Sequence, residues 1–345
     1  MALNLTPGEL YFISERDHLT GKLSGYYKIG LVKSSRKGDS QDRLSEHQTG
    51  NPRFLNVEHQ VDSPAISSLE TAMHHRYALK RVSGEWFRLT PKELDRAAAV
   101  ARALASDQAA HLRSMNRAAA LAGELSTEQV GRATAKDRAL FERAHQAKVV
   151  LGEVKQLQKL IKEFFSEALD DGQPVGDFIG STYRESPSLD KTALREAYPD
   201  VYEAFAGSRP STSNPFRLAK ATDDLVVVVP KPIQVLRRRI ERLLEQPSTK
   251  RAYLEELHAA YLTLLEHSSH GEWEKMIVNS QIQERCGTKA GIDGVCSWKR
   301  VPSSTTTFDD AGFRRAHPKL ASRFTLVRTV QSFGVVPMRS YSPVK

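Results

Sequence analysis

Gly25-Tyr26-Tyr27-Lys28-Ile29-Gly30-Leu31-Val32 is rich in aromatic and branched residues and reads as a β-strand. Upstream, Glu9-Leu10-Tyr11-Phe12-Ile13-Ser14 has the same character, and the polar stretch between holds Gly21, so the two predict a hairpin with a long loop. Downstream, a helix is expected from about Asp39 to Gln48, stopped by Gly50-Asn51-Pro52. Phe54 to Val61 alternates polar and apolar residues as a third strand would. Ser63 as N-cap and Pro64 at the first helical position predict a second helix, running to about Arg81. Gly84 to Leu89 reads as a short closing strand. The expectation is an α+β module over residues 1–90: a three-stranded antiparallel sheet with flanking helices.

Thr90-Pro91-Lys92-Glu93 is a capping box with proline at the first helical position, so a helix starts there. Ser126-Thr127-Glu128-Gln129 is a second box and predicts the start of another long helix. In that helix Leu157, Leu160, Ile161, Phe164, Phe165 and Ala168 form an apolar stripe at spacings of three and four. Residues 91–144 therefore read as a helical spacer. The remainder holds an internal repeat. Leu189-Asp190, Leu194-Arg195, Ala197, Pro199 and Phe205 align at constant spacing with Phe308-Asp309, Phe313-Arg314, Ala316, Pro318 and Phe324. Each copy follows an aromatic-basic extended stretch, Ser181-Thr182-Tyr183-Arg184 or Ser297-Trp298-Lys299-Arg300, and a long helix ending near 170 or near 266. Two mainly helical repeated modules are expected, at 145–220 and 221–345, joined through the Pro/Ser-rich stretch 208–215 and Pro230-Lys231-Pro232.

A chain of 345 residues exceeds one ordinary domain, and 40% hydrophobic residues suffice for a packed core. The formal charge of +9, with a pI near 9.4, favours a polyanionic partner such as nucleic acid. Cys286 and Cys296 fit no zinc spacing and read as free thiols in a reducing compartment. The longest aliphatic run, Leu225 to Val229, is too short to span a bilayer, and no apolar leader opens the chain. A cytoplasmic location without membrane contact is expected.

Four features of the first module share a chemistry. Cutting a phosphodiester needs a nucleophile generator, charge stabilisation on the phosphoryl oxygens and help for the leaving oxygen. Arg43 and His47 project from one helix face at i, i+4, and Glu70 and His74 share that spacing on the next helix. A tyrosine ionises near pH 10, and Lys28 or Arg43 nearby would stabilise the phenolate of Tyr11 and lower that value. One carboxylate plus waters is a normal way to hold Mg²⁺.

In this order the residues resemble the GIY-YIG nuclease superfamily, in the branch common among phage and phage-related proteins. Tyr11 stands for the first motif, Lys28-Ile29-Gly30 for the second, Arg43-x-x-x-His47 for the helix motif and Glu70 for the metal carboxylate. The closing pattern Glu70-x-x-x-His74…Gly84-Glu85-Trp86-Phe87 is similar to that branch as well. The resemblance covers residues 9–90. It implies Tyr11 as general base, Arg43 on the scissile phosphate, His47 orienting the nucleophile network, and Glu70 ligating one Mg²⁺ or Mn²⁺. Lys28 takes the place of the second tyrosine. Tyr27 and His74 are secondary candidates, Tyr27 because a regular strand would point it to the opposite face.

In the tail, Arg237, Arg238, Arg239 and Arg242 lie on one expected helix, either tracking a phosphate backbone or paired with Glu241 and Glu245 on a solvated face. The pattern Ile292-Asp293-Gly294-Val295…Ser297-Trp298-Lys299-Arg300…Phe308-Asp309…His317-Pro318 resembles the closing segment of YqaJ-type phage exonucleases, without that family's metal core. Two functions are therefore expected to compete. One is a metal-dependent endonuclease acting on DNA or RNA in phage-related or anti-phage processing. The other is a non-catalytic nucleic-acid- or protein-binding scaffold. The C-terminal modules are candidates for holding a protein partner, and the long helices for self-association.

Overall fold

The computed structural model describes residues 5–35, 39–49, 51–173, 175–221 and 225–335, so Gly50 lies outside the described residues. Helices hold 54% and strands 24% of the chain, an α+β protein.

The first module contains β1 (Gly8–Arg16), β2 (Leu23–Lys33), α1 (Ser40–Gln48), β3 (Phe54–Ser63) and α2 (Ile66–Arg76). A 3₁₀ turn at Ala78–Lys80 leads into β4 (Arg81–Ser83) and β5 (Trp86–Arg88). The antiparallel sheet has five strands in the order β3-β1-β2-β5-β4, so the closing strand β5 joins the three expected ones at β2 and adds its hairpin partner β4 at the edge. Leu10, Phe12, Tyr27 and Ile29 face α2 on one side, while Tyr11, Ile13, Val32 and Leu55 face Leu44 of α1 on the other. Helix α1 lies where it is expected, with Asp39 as its cap.

The second helix departs from expectation, beginning at Ile66 and ending at Arg76. Ser63 still belongs to β3, and its hydroxyl donates to Gln108 at 2.5 Å while accepting the Ala65 N–H at 3.0 Å. Held in that way, it is not free to cap a helix. The capping box at Thr90 does open α3 (Pro91–Gly123), whose first turns place Leu94, Ala97, Ala98 and Ala101 in the core of the first module. That core therefore continues past residue 90.

The box at Ser126 opens no helix. Its hydroxyl accepts the Arg300 N–H at 3.0 Å, and the chain continues into β6 (Val130–Gly131). The next helix, α4 (Ala135–Asp170), is started by a different box, Thr134 with Asp137, whose carboxylate also pairs with Arg285. Leu157, Ile161, Phe165 and Ala168 are buried along it, as the stripe predicts. After α4 come β7 (Ile179–Leu189), α5 (Lys191–Ala197), α6 (Pro199–Phe205), β8 (Ala206–Ser213) and β9 (Phe216–Leu218). Next are α7 (Lys231–Glu245) and α8 (Arg251–Cys286). The Pro/Ser-rich stretch expected as a join is thus largely the strand β8. Helix α8 extends well beyond 266 and stops at Gly287, whose φ of 59° suits the residue after a helix. Helices α4 and α8 run antiparallel, tied at one end by Asp137–Arg285 and at the other by Asp177–Arg251. The first module docks on the middle of α8 through His75–Ser269 at 2.5 Å and Arg76–Glu266 at 2.8 Å.

The chain closes with β10 (Gly291–Ile292), β11 (Cys296–Trp298), β12 (Val301–Phe308), α9 (Asp310–Ala316), α10 (Pro318–Arg323) and β13 (Thr325–Val335). Cys286 and Cys296 are free and buried. The repeat is visible in the backbone: Asp190 and Asp309 cap α5 and α9 alike, and the junctions Tyr198 (φ −140°, ψ 65°) and His317 (φ −130°, ψ 60°) match. The copies do not stand apart. Strand β7 pairs with β13 and β8 with β12, so each copy lends a strand to both ribbons. Asp190 N donates to Phe324 O at 2.8 Å, and Asp309 N donates to Phe205 O at 2.9 Å. Leu189, Leu194, Tyr202, Phe313 and Ala321 form one shared core. Exchange of this kind is the signature of a local two-fold axis. The two copies are halves of a single cap.

Candidate active site

Tyr11 sits mid-strand in β1, opposite Gly30 in β2, and is 1% exposed. A Cβ at Gly30 would lie 2.5 Å from the Tyr11 hydroxyl, so the glycine of the Lys-Ile-Gly motif is the space in which the phenol ring rests. Helix α1 covers this face and brings two side chains to that hydroxyl. Nε2 of His47 lies 3.3 Å from it, and Arg43 is near enough to favour its ionised form. The i, i+4 spacing on α1 thus brings both residues to the side of Tyr11 that the helix covers. Glu46 pairs with Arg43 from the solvent side.

These groups edge a cleft of about 520 Å³ lined by Tyr11, Lys33, Arg43, Ser67, Glu70 and Glu85. Glu70 enters from α2, whose apolar side (Ile66, Leu69, Met73) is locked into the sheet. Lys28 is nearly buried, and its ammonium meets the Glu85 carboxylate at 2.5 Å. Glu85 lies on the turn just before Trp86, the cross-strand partner of Lys28. From the sequence Glu85 appears only within the closing pattern, with no role given to it, and Lys33 and Ser67 line the cleft without having been singled out. The signal for Glu85 was available: an acid on a tight Gly84 turn, one residue from an aromatic strand, next to the register position of a motif lysine.

The electrostatics differ from the sequence expectation at one point. The Tyr11 phenol stands above its ordinary value, because burial and the charges of Glu85 and Glu70 outweigh the lowering by Arg43. Lys28, expected to lower it, is committed to Glu85. Burial, then Glu85, pushes Glu70 up to about 7, with Lys28, Arg81 and Lys33 opposing. His47 is lowered by burial and by Lys28 and Arg43, so its ring favours the neutral form.

The two secondary candidates lie elsewhere. Tyr27 is buried on the opposite face of the sheet, among the residues that pack α2 and α3. His74 bonds the Ile29 carbonyl at 2.8 Å and lies against Phe87, which fastens α2 to the sheet. Two of the four arginines of α7 are held in ion pairs. Arg237 pairs with Glu153 and Glu241 at 3.2 and 2.9 Å, and Arg239 with Glu256 at 2.7 Å, tying α7 to α4 and α8. Arg238 and Arg242 remain exposed.

The residues suit a hard divalent cation. Among the described residues no three His, Cys, Asp or Glu side chains gather as a metal cage. Mg²⁺ does not require one, since it keeps several waters and takes one or two carboxylates. Glu70, whose carboxyl is raised by burial and by Glu85 in an open cleft, is a side chain of the type such an ion takes.

Residues 8–102 match the family model of the T5orf172 domain, a phage-associated, nuclease-type domain. No curated protein and no solved structure matches the chain. Among the described residues, no helix is long and apolar enough to cross a membrane.

Proposed function

We propose that the first module is a metal-dependent endonuclease site of the GIY-YIG kind, hydrolysing DNA phosphodiesters with Tyr11 as general base. The His47 ring 3.3 Å from the Tyr11 hydroxyl, with Tyr11, Arg43 and Glu70 lining one cleft, carries this reading. Glu70 would hold one Mg²⁺ or Mn²⁺, with Glu85 adding negative charge behind it. The ion supplies Lewis-acid stabilisation of the phosphoryl and leaving oxygens.

The side chains provide the rest. Neutral His47 accepts the Tyr11 O–H through Nε2, while the Arg43 guanidinium stabilises the phenolate that results. The phenolate takes a proton from the attacking water as its oxygen bonds to phosphorus; the P–O bond to the leaving alkoxide breaks, and the alkoxide gains a proton from solvent. Arg43 is also the cation within reach of the phosphoryl oxygens. Lys28 holds Glu85 in place until a phosphate competes for its ammonium.

The test is plasmid cleavage in Mg²⁺ or Mn²⁺ by wild type, Tyr11→Phe and Glu70→Ala. Nicking by wild type and its loss in both variants is expected. Equal inertness of all three under every metal would overturn the reading. One observation favours a second function, a module that grips nucleic acid without cutting it: Lys28 is already paired, and the phenol stands above its ordinary value. In that case inert protein would still retain a labelled duplex.

A further inference from the structure

The two halves of the cap keep the same interior and differ on the outside. Asp190 and Asp309, Pro199 and Pro318, and Phe205 and Phe324 are identical pairs that build the caps, kinks and core. At two exposed positions the charge is reversed, Glu196 to Arg315 and Asp200 to Lys319, and at a third the neutral Ala204 corresponds to Arg323; all six are exposed. One exchange runs the other way, Lys191 for Asp310, and both are committed within the cap: Lys191 sits 5.2 Å from the centre of the Phe308 ring, and Asp310 pairs with Arg314 at 2.6 Å. Arg315 and Lys319 enter no ion pair among the described residues, whereas Arg328 on β13 matches the equally exposed Arg209 of the first half and does not distinguish the two.

Exposed positions of a short helix are not dictated by the fold, and surface substitutions there cost little stability. A duplicated scaffold that holds its core yet replaces acids by cations on one half has differentiated its surface. On a chain of net charge +9, the partner that rewards clustered, unpaired Arg and Lys without requiring a pocket is a phosphate backbone. On α7, Arg237 and Arg239 are tied to glutamates, and the exposed Arg238 and Arg242 provide the competing surface against which the cap is tested.

We propose that the outer surface of α9 and α10, centred on Arg315 and Lys319 with Arg323 beside them, binds the phosphate backbone of duplex DNA, and that the first half of the cap does not. The choice of DNA rests on the proposed function of the first module; the backbone contact itself does not depend on cleavage. Sequence independence follows, since such contacts position a duplex without reading its bases.

The test uses the full chain, EDTA to prevent cutting, and a fluorescein-labelled 30-bp duplex followed by anisotropy from about 50 to 200 mM salt. Three proteins are compared: wild type, Arg315→Glu/Lys319→Glu, and the charge-matched Arg238→Glu/Arg242→Glu on α7. The cap variant is expected to bind about tenfold more weakly, with the slope of log K against log salt reduced by about 2, since each phosphate contact contributes about 0.9. The α7 variant keeps a slope near that of wild type. Equal weakening in both variants would make the effect one of net charge and overturn the proposal, as would an unchanged cap variant or a wild type that does not bind. Unaltered melting temperatures exclude misfolding. Cleavage in Mg²⁺, measured separately, reports on the first module: a chain that binds through the cap but never cuts would sink the nuclease reading and leave this one standing.

Discussion

The Tyr11 hydroxyl lies 3.3 Å from Nε2 of His47, from opposite sides of the interface between sheet and helix α1, and the Arg43 charge nearby favours its ionised form. A buried phenol so placed has an acceptor for its proton and a cation for the charge left behind. Tyr11→Phe keeps the ring and removes only the oxygen. Its cleavage rate under single-turnover conditions is expected to fall about 10²–10⁴-fold, the usual worth of a general base. Its melting temperature should move little. A rate within threefold of wild type would exclude Tyr11 as the base.

Glu70 predicts a pH-dependent stability. Its carboxyl is near 4.5 when unperturbed and about 7 in the folded chain, so folding disfavours the charged form. Between these values the native state binds more protons than the unfolded one, and stability falls as pH rises through the window from about 4.5 to about 7. Screening in the open cleft limits the loss to about 1–2 kcal/mol. Glu70→Gln should remove that slope and raise the melting temperature at pH 8 in EDTA. Mg²⁺ should stabilise wild type at pH 8 and leave Glu70→Gln unmoved. Thermal melts across pH, with and without Mg²⁺, check both points.

Gly30→Ala tests the packing beneath the site. The new methyl would meet the Tyr11 hydroxyl at 2.5 Å with β2 fixed by pairing on both edges, so the ring must give way. Overpacking of this sort costs about 1–3 kcal/mol. Cleavage should fall nearly as far as in Tyr11→Phe, while the far-ultraviolet dichroism stays native.

Asp137 offers the opposite sign. Thr134 and Arg285 hold its carboxyl at about 2, below the ordinary 3.8. This stabilisation is present above about pH 3.8 and is lost as pH falls through about 2. Arg285→Ala should lower stability at neutral pH by about 2 kcal/mol. The gap to wild type should close in melts taken toward pH 2.

The first module was legible because its signals are local. Strand composition, the Gly50-Asn51-Pro52 stop and the i, i+4 pair on α1 each act within a few residues, and the ordered motifs marked Tyr11, Lys28, Arg43, His47 and Glu70. What escaped depends on partners distant in the chain. Ser63 and Ser126 look like helix caps in sequence, but Gln108 and Arg300 engage their hydroxyls. Glu85 joins the cleft through a strand register that composition does not specify. Tyr11 was expected to be acidified by cations, yet burial is a property of the packed sheet and outweighs them. The repeat was readable from its spacing. Its strand exchange was not, since β-ribbon residues such as Ser208 and Thr306 carry no preference for one partner over another.

That exchange has a consequence for folding. Leu194 and Phe313 occupy equivalent positions in the two halves, and both are fully buried in the same core. Independent modules would confine damage to the half that is mutated. Here β7 cannot pair without β13, nor β8 without β12, and the caps exchange the bonds Asp190 N to Phe324 O and Asp309 N to Phe205 O. Phe313→Ala, a loss of about 3–5 kcal/mol for a buried aromatic, should therefore open both halves together. Hydrogen exchange should show α5 and α6 losing protection along with α9 and α10, while β1 and β2 keep theirs. Leu194→Ala should give the same pattern with a cost of about 2–5 kcal/mol. Loss confined to α9 and α10 in the Phe313 variant would mean that the halves fold separately and that the shared core contributes little.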